Sequence, residues 1–261
     1  MATIAHAKNA RVYYDWWKVG EFANATNLDI TRDAAETTAF EDAGKTFVGG
    51  KYGAAGGFAG FLDLADDGFD EVQFADINDG EHLILRCLQG TTQGYPAYET
   101  NELSTGSSRA ADIGNVVQLT WNGQASDRIV RGVVLTSGEQ AVTTTGNTTG
   151  VEVGAASSTQ TMVVTARVLA VSGAGSITLK VQGSSDNGAG DAYAQVTGWT
   201  LSEADPGTNV NIASADEITF TGKGVGRFTR TGATEAWLRI NVSAFSGFTS
   251  VTLLVTAGVK A

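Results

Sequence analysis

The segment "SITLKVQ", residues 176–182, alternates strictly between apolar and polar side chains. Ile177, Leu179 and Val181 fall on one side of an extended chain, with Thr178, Lys180 and Gln182 on the other. A helix would scatter these two sets around its axis, whereas a strand gathers each onto one face. The same period returns in "WLRINVS" (237–243), which sets Leu238, Ile240 and Val242 apart from Arg239, Asn241 and Ser243. "SVTLLVT" (250–256) adds Val251, Leu253 and Val255, and "TMVVTARVLAV" (161–171) reads as a longer, more central strand. The intervening "SGAG", "SSDNGAG" and "GFTS" are turn sequences. Strands of this kind, each with one buried face, predict an antiparallel sandwich of two sheets over 151–261.

The whole chain suits an all-β reading. Its 261 residues include 33 glycines and 2 prolines, with threonine and valine recurring throughout. Strands are expected near 10–19, 26–40, 52–63, 82–88, 113–123 and 127–136. One short helix is expected from Asp67 to Ile77, capped by Asp66 or Asp67, with Phe69, Val72 and Ile77 inward. The polar stretch 89–111, which carries Pro96, reads as a long loop. A first β-sandwich or barrel domain over 1–138 is followed by a small, polar linker at 139–150. The expected core is Val117, Leu119, Ile177, Leu179, Val181, Leu238, Ile240, Val242, Leu253 and Val255.

Composition narrows the function classes. The net charge is −11, and residues 1–135 carry 10 basic against 19 acidic side chains, leaving 7 against 9 in the remainder. Nothing forms the basic stripe of a protein that grips DNA. No apolar run reaches the roughly 18 residues of a membrane helix, and no secretory signal stands at the N-terminus. The single cysteine, Cys87, excludes an internal disulfide and reads as a buried small hydrophobe.

Motifs for chemistry fail one by one. "AFEDAGKT" (39–46) fits a loose phosphate loop, but Ala39 replaces its first glycine and Glu41 and Asp42 would repel a polyanion. Five glycines in the next eleven residues, 47–57, deny it the required helix. "DLADDGFDE" (63–71) places Asp63, Asp67 and Gly68 as in a calcium loop, yet Ala65 and Phe74 occupy ligand positions. "GKGVGRF" (222–228) lacks a strand-to-helix context and reads as a turn. His6 and His82 have no metal-ligand spacing. No catalytic residue, metal site or cofactor is expected.

Residues 12–63, "VYYDWWKVGEFANATNLDITRDAAETTAFEDAGKTFVGGKYGAAGGFAGFLD", resemble the tail tube (major tail) proteins of long-tailed bacteriophages. The resemblance rests on Asp33, Glu36, Thr37, Thr38 and Phe40, then Lys45 and Phe47, then Gly49, Gly57, Phe61 and Asp63. Residues 114–139 look like that family's closing strands, and 168–188 are similar to the β domain of its longer subgroup. Glu41, where glycine is common, and the "DWW" of 15–17 depart from the pattern.

The resemblance implies a structural virion protein that self-assembles into stacked rings, forming the tail tube that conducts viral DNA into the host. It implies manufacture and assembly in the host cytoplasm, and other tail proteins as partners at the tube ends. DNA would pass without tight binding, along an inner barrel pooled from all subunits. Six copies per ring, or three with pseudo-sixfold symmetry, are both compatible with the chain. The glycine-rich loop 40–52 suits inter-subunit contact, because Phe40, Phe47 and Tyr52 have no local core to enter. Glu41, Asp42 and Lys45 lie in the same loop. The alternative is a carbohydrate- or cell-surface-binding sandwich using Trp199 and Trp237, although core packing is the expected fate of both.

Overall fold

The computed structural model describes residues 7–21, 23–36, 47–62, 69–70, 73, 80–111, 116–203, 209–214 and 216–260. Among the described residues, twenty strands follow one another. In the first half these are β1 Arg11–Tyr14, β2 Trp17–Lys18, β3 Ala23–Glu36, β4 Phe47–Phe61, β5 Glu81–Cys87, β6 Pro96–Ala110, β7 Gln118–Ala125 and β8 Val130–Val134. Next come β9 Gln140–Val142, β10 Gly146–Asn147, β11 Val151–Glu152, β12 Thr161–Ser172, β13 Ser176–Ser184 and β14 Ala194–Gln195. The chain ends with β15 Thr200–Glu203, β16 Val210–Ser214, β17 Glu217–Phe220, β18 Gly224–Thr231, β19 Trp237–Ser246 and β20 Ser250–Lys260. The strand registers described run antiparallel. Phe69, Asp70 and Gln73 are helical, and the rest of the helix expected over 67–77 lies outside the described residues.

Two compact units interleave along the chain: 1–21 with 82–99 and 130–261, and 22–81 with 100–129. Residues 1–138 therefore contribute to both.

The first unit is the sandwich. One sheet runs β15-β18-β12-β20-β8-β6-β5-β1-β2, and the other runs β10-β19-β13-β17-β16. Ile177, Leu179, Val181, Leu238 and Ile240 of the second sheet meet Val164, Ala166, Val168, Leu253 and Val255 of the first, all fully buried. Nine of the ten expected core residues are buried, and Val117 is half-buried. "TMVVTARVLAV" is central as expected, flanked by β18 and β20. Residues 139–150, expected as a linker, hold β9 and β10, which pair with β20 and β19. Their polar side chains point outward while their backbone completes the sheets. "GKGVGRF" begins as a bend and continues as β18, because Gly224 and Gly226 leave room for Val210 and Ile218.

The loop expected at 89–111 is corrected. From Pro96 onward it is the 15-residue strand β6. Its inward side chains include Glu99, Thr100 and Glu102, all buried, so polar composition hid an interior strand.

The second unit is a sheet in the order β3-β4-β7-β6, using residues 100–110 of β6. On its packed face Phe58 stacks on Trp121 at 5.2 Å between ring centroids and meets Phe69 edge-on at 5.4 Å. Arg109 donates from Nε to Asp70 Oδ1 (2.6 Å) and from Nη2 to Gln73 Oε1 (2.9 Å), holding the helical residues over that face.

Candidate assembly interface

The β3–β4 hairpin is the longest pairing of the second unit, running from Ala23↔Gly60 to Glu36↔Phe47. Glycines that would weaken an isolated strand are needed here for close approach. A Cβ on Gly57 would lie 2.7 Å from the Trp121 carbonyl oxygen and 3.0 Å from Asn122 Oδ1. Thr26 Oγ1 donates to the Gly57 carbonyl (3.0 Å), and Gln124 Nε2 donates to the Ala54 carbonyl (2.7 Å). β4 is thus clamped from both sides.

β3 has no such second neighbour. Among the described residues it pairs in the sheet with β4 alone. Most of its described side chains are exposed, and Ile30, a large apolar group, is 57% exposed. Fourteen residues at about 3.4 Å each present an edge roughly 45 Å long, a template for another strand. Register shifts at Ala23/Ala25 and Arg32/Ala34 twist both ends of that edge.

The sequence-predicted residues separate into three groups. Phe40, Glu41, Asp42, Lys45, Thr37, Thr38 and Asp63 lie outside the described residues. Asp33, Glu36, Phe47, Gly49 and Tyr52 share one end of the hairpin. Glu36 lies opposite Phe47, Ala34 opposite Gly49 and Arg32 opposite Tyr52. Phe47, Gly49 and Tyr52 therefore belong to strand β4 rather than to the loop expected over 40–52. Gly57 and the half-exposed Phe61 sit toward the other end. Trp199 is buried in the sandwich core, its Nε1 donating to the Val196 carbonyl at 3.0 Å, and Trp237 is half-buried.

Sequence reading missed a buried ionic cluster in the first unit. Glu99 accepts from Thr165 Oγ1 (2.7 Å) and Arg227 Nη2 (2.7 Å) and lies 2.9 Å from Arg167 Nη2. Arg167 is fully buried, and its Nε donates to the Asp15 carbonyl at 3.0 Å. Asp15, at φ 51°, bonds His82 Nδ1 (2.9 Å) and accepts from the Leu83 amide (2.7 Å). Burial pushes the Glu99 carboxyl up, but the Arg167 and Arg227 guanidiniums and the Thr165 hydroxyl outweigh it and hold it at about 2. The detectable signal was Arg167 in the middle of an apolar strand, which demands a partner. Burial pushes the Cys87 thiol up to about 12, as an inert small hydrophobe requires. Among the described residues no acidic, histidine and cysteine cluster could hold a metal ion.

No family model and no curated protein matches the chain. Among solved structures it is similar to tail components of phage-like particles. A protein of the virion of a native gene transfer agent particle is 14% identical, over 48% of this chain and 97% of that one, with a TM-score of 0.41. A protein of the SPP1 tail tube is 7% identical, over 49% and 78%, with a TM-score of 0.41. The SPP1 Dit protein, a hub adsorption apparatus component of phages infecting Gram-positive hosts, is 7% identical over 97% and 99%, with a TM-score of 0.36.

Proposed function

We propose that this chain is a structural virion protein whose copies assemble into stacked rings, forming a tail tube through which viral DNA passes. The observation that carries the reading is the β3 edge, with its exposed Ile30 and no strand partner beyond β4 among the described residues. A long open edge invites pairing, and a closed ring of copies satisfies it without leaving an aggregation-prone end. The residue pattern shared with tail tube proteins over 12–63 supports the same reading. In it, the unit of 22–81 and 100–129 belongs to the tube wall, and the sandwich that holds 151–261 is a second β domain to which parts of 1–138 also contribute. Phe40, Glu41, Asp42, Lys45, Phe47 and Tyr52 belong to the contact between copies. The rings contain six copies, or three with pseudo-sixfold symmetry, and other tail proteins cap the tube. Its role is mechanical, with no catalytic step and no cofactor, and its place is the virion tail after assembly in the host cytoplasm.

Sedimentation velocity of the wild type and of Ile30→Lys tests the edge. A charge on the exposed edge strand should suppress assembly while leaving the monomer's thermal transition in place. Unchanged assembly by Ile30→Lys would remove the observation on which the proposal stands.

A further inference from the structure

The loop between β13 and β14 is exposed yet tightly bound to itself. Residues 185–192 are all exposed, so no core fixes their course. The Asp186 carboxylate accepts from the Ala189 amide at 3.0 Å and from the Asp191 amide at 3.1 Å. The buried Ser184 hydroxyl accepts from the Gly188 amide at 2.8 Å and donates to the Asp191 carbonyl at 2.7 Å. Tyr193 closes the loop, its hydroxyl donating to Asn187 Oδ1 at 2.8 Å. A Cβ on Gly188 would lie 3.3 Å from Tyr193 Cδ2, and one on Gly150 would lie 2.6 Å from Asn187 Oδ1. The ring and the amide therefore rest directly on two glycines. The Arg239 guanidinium stacks on the same ring, 4.2 Å from its centroid.

Asn187 is followed by Gly188, and the chain contains one other such pair, Asn122–Gly123. Glycine leaves the asparagine carboxamide open to attack by the next backbone nitrogen, since no Cβ stands in the way. The Gly188 nitrogen would bond to Asn187 Cγ and give up its proton, while Nδ2 takes up a proton and leaves as ammonia. Water then opens the five-membered imide at either carbonyl, giving aspartate or isoaspartate. The two pairs are held differently. Asn122 sits inside β7, opposite Gly57 of β4 and Gly106 of β6, so two ladders fix its backbone. Asn187 has φ 61° and belongs to no strand. At the ψ of about 47° that accompanies this conformation, the Gly188 nitrogen points away from the Asn187 side chain. Ring closure must swing the Cα–C bond by nearly half a turn. That motion pulls the Gly188 amide off Ser184 and the Asn187 carboxamide off Tyr193.

We infer that Asn187 is a latent modification site, converted spontaneously to aspartate or isoaspartate when its loop opens, and that the Tyr193 hydroxyl is the gate. Conversion then follows the population of the open loop rather than the reactivity of the pair alone. One hydrogen bond of this kind shifts such an equilibrium by roughly two- to tenfold. Either product adds a carboxylate to a loop that already holds Asp186 and Asp191. Isoaspartate also adds a methylene to the main chain. The turn that seats the Gly188 amide on Ser184 does not fit that longer backbone, so conversion is a one-way change in the loop. The site lies within the sandwich and stands independently of the tube reading.

Peptide mapping by mass spectrometry follows amide-to-acid conversion at Asn187 and Asn122 in one sample, so the second pair is an internal control. The wild type is aged in mildly alkaline buffer, both folded and in urea. Both pairs should convert in urea, whereas in the folded protein Asn187 should convert slowly and Asn122 should stay intact. Tyr193→Phe keeps the ring over Gly188 and removes the hydroxyl, and Ser184→Ala removes the acceptor of the Gly188 amide. They are made separately, so that failure of one to fold, read by circular dichroism, leaves the other. Each folded variant should convert Asn187 about two to ten times faster than the wild type, with Asn122 and the rates in urea unmoved. Equal rates at Asn187 in folded and unfolded wild type would overturn the gate. So would a folded Tyr193→Phe that converts no faster than the wild type. Conversion of Asn122 as fast as Asn187 in the folded protein would remove the loop's distinction and overturn the assignment equally.

Discussion

Replacing Glu99 by Gln removes one negative charge from between Arg167 and Arg227 while keeping the side chain's size. Glu99 is 3% exposed and Arg167 is not exposed at all, so water cannot compensate the Arg167 guanidinium. The carboxyl is held at about 2 against its usual 4.5, which corresponds to about 3 kcal/mol of stability at neutral pH. Breaking a buried pair by removing one partner costs about 3–5 kcal/mol. The two estimates agree, and about 3–5 kcal/mol is expected for Glu99→Gln at pH 7. The pH dependence is more specific. A carboxyl whose folded-state value is depressed stabilises fully above the unfolded value, near 4.5. That contribution is lost as pH falls toward 2, because the unfolded chain takes up the proton first. The gap between wild type and variant should therefore be widest above pH 5 and shrink steadily below it. Urea denaturation at pH 7, 5, 4 and 3 measures both stabilities directly. A gap that stays constant across that range, or one below about 0.5 kcal/mol at pH 7, would refute the charge argument.

Other outcomes follow from the same structure. Leu179→Ala, in the fully buried row of β13, should cost about 2–5 kcal/mol in chemical denaturation without changing the assembled state. Phe47→Ala, at the β3–β4 end opposite Glu36, should weaken tube formation in sedimentation while leaving the monomer's thermal transition nearly unmoved. Unfolding of the monomer by that change would contradict an interface role. Fluorescence anisotropy with duplex DNA at about 0.15 M salt should show no saturable binding, and submicromolar affinity would contradict free passage of DNA through the tube.

The sandwich was legible because its strands each have one dry face. Ile177, Leu179 and Val181, or Leu238, Ile240 and Val242, repeat with period two and are buried as a set. β6 was not legible for the complementary reason. Its interior positions are filled by Glu99, Thr100 and Glu102, and the partners of Glu99, Arg167 and Arg227, arrive from strands far along the chain. No local pattern reveals a charge neutralised by a residue 128 positions away. Gly49 and Gly50 read as part of a loop, yet they belong to β4, and farther along that strand Gly57 lets Asn27 and Asn122 approach from both sides. The candidate interface was visible only as a family-like residue pattern. That β3 pairs in the sheet with β4 alone is a property of strand order, which side-chain periodicity does not encode.

Electron microscopy of the concentrated wild-type protein tests the self-assembly proposal most directly. Hollow rings, or tubes built from stacked rings, are the predicted result, with the copies related by sixfold or threefold symmetry. Discrete, non-associating monomers at every concentration and salt condition tried would contradict it.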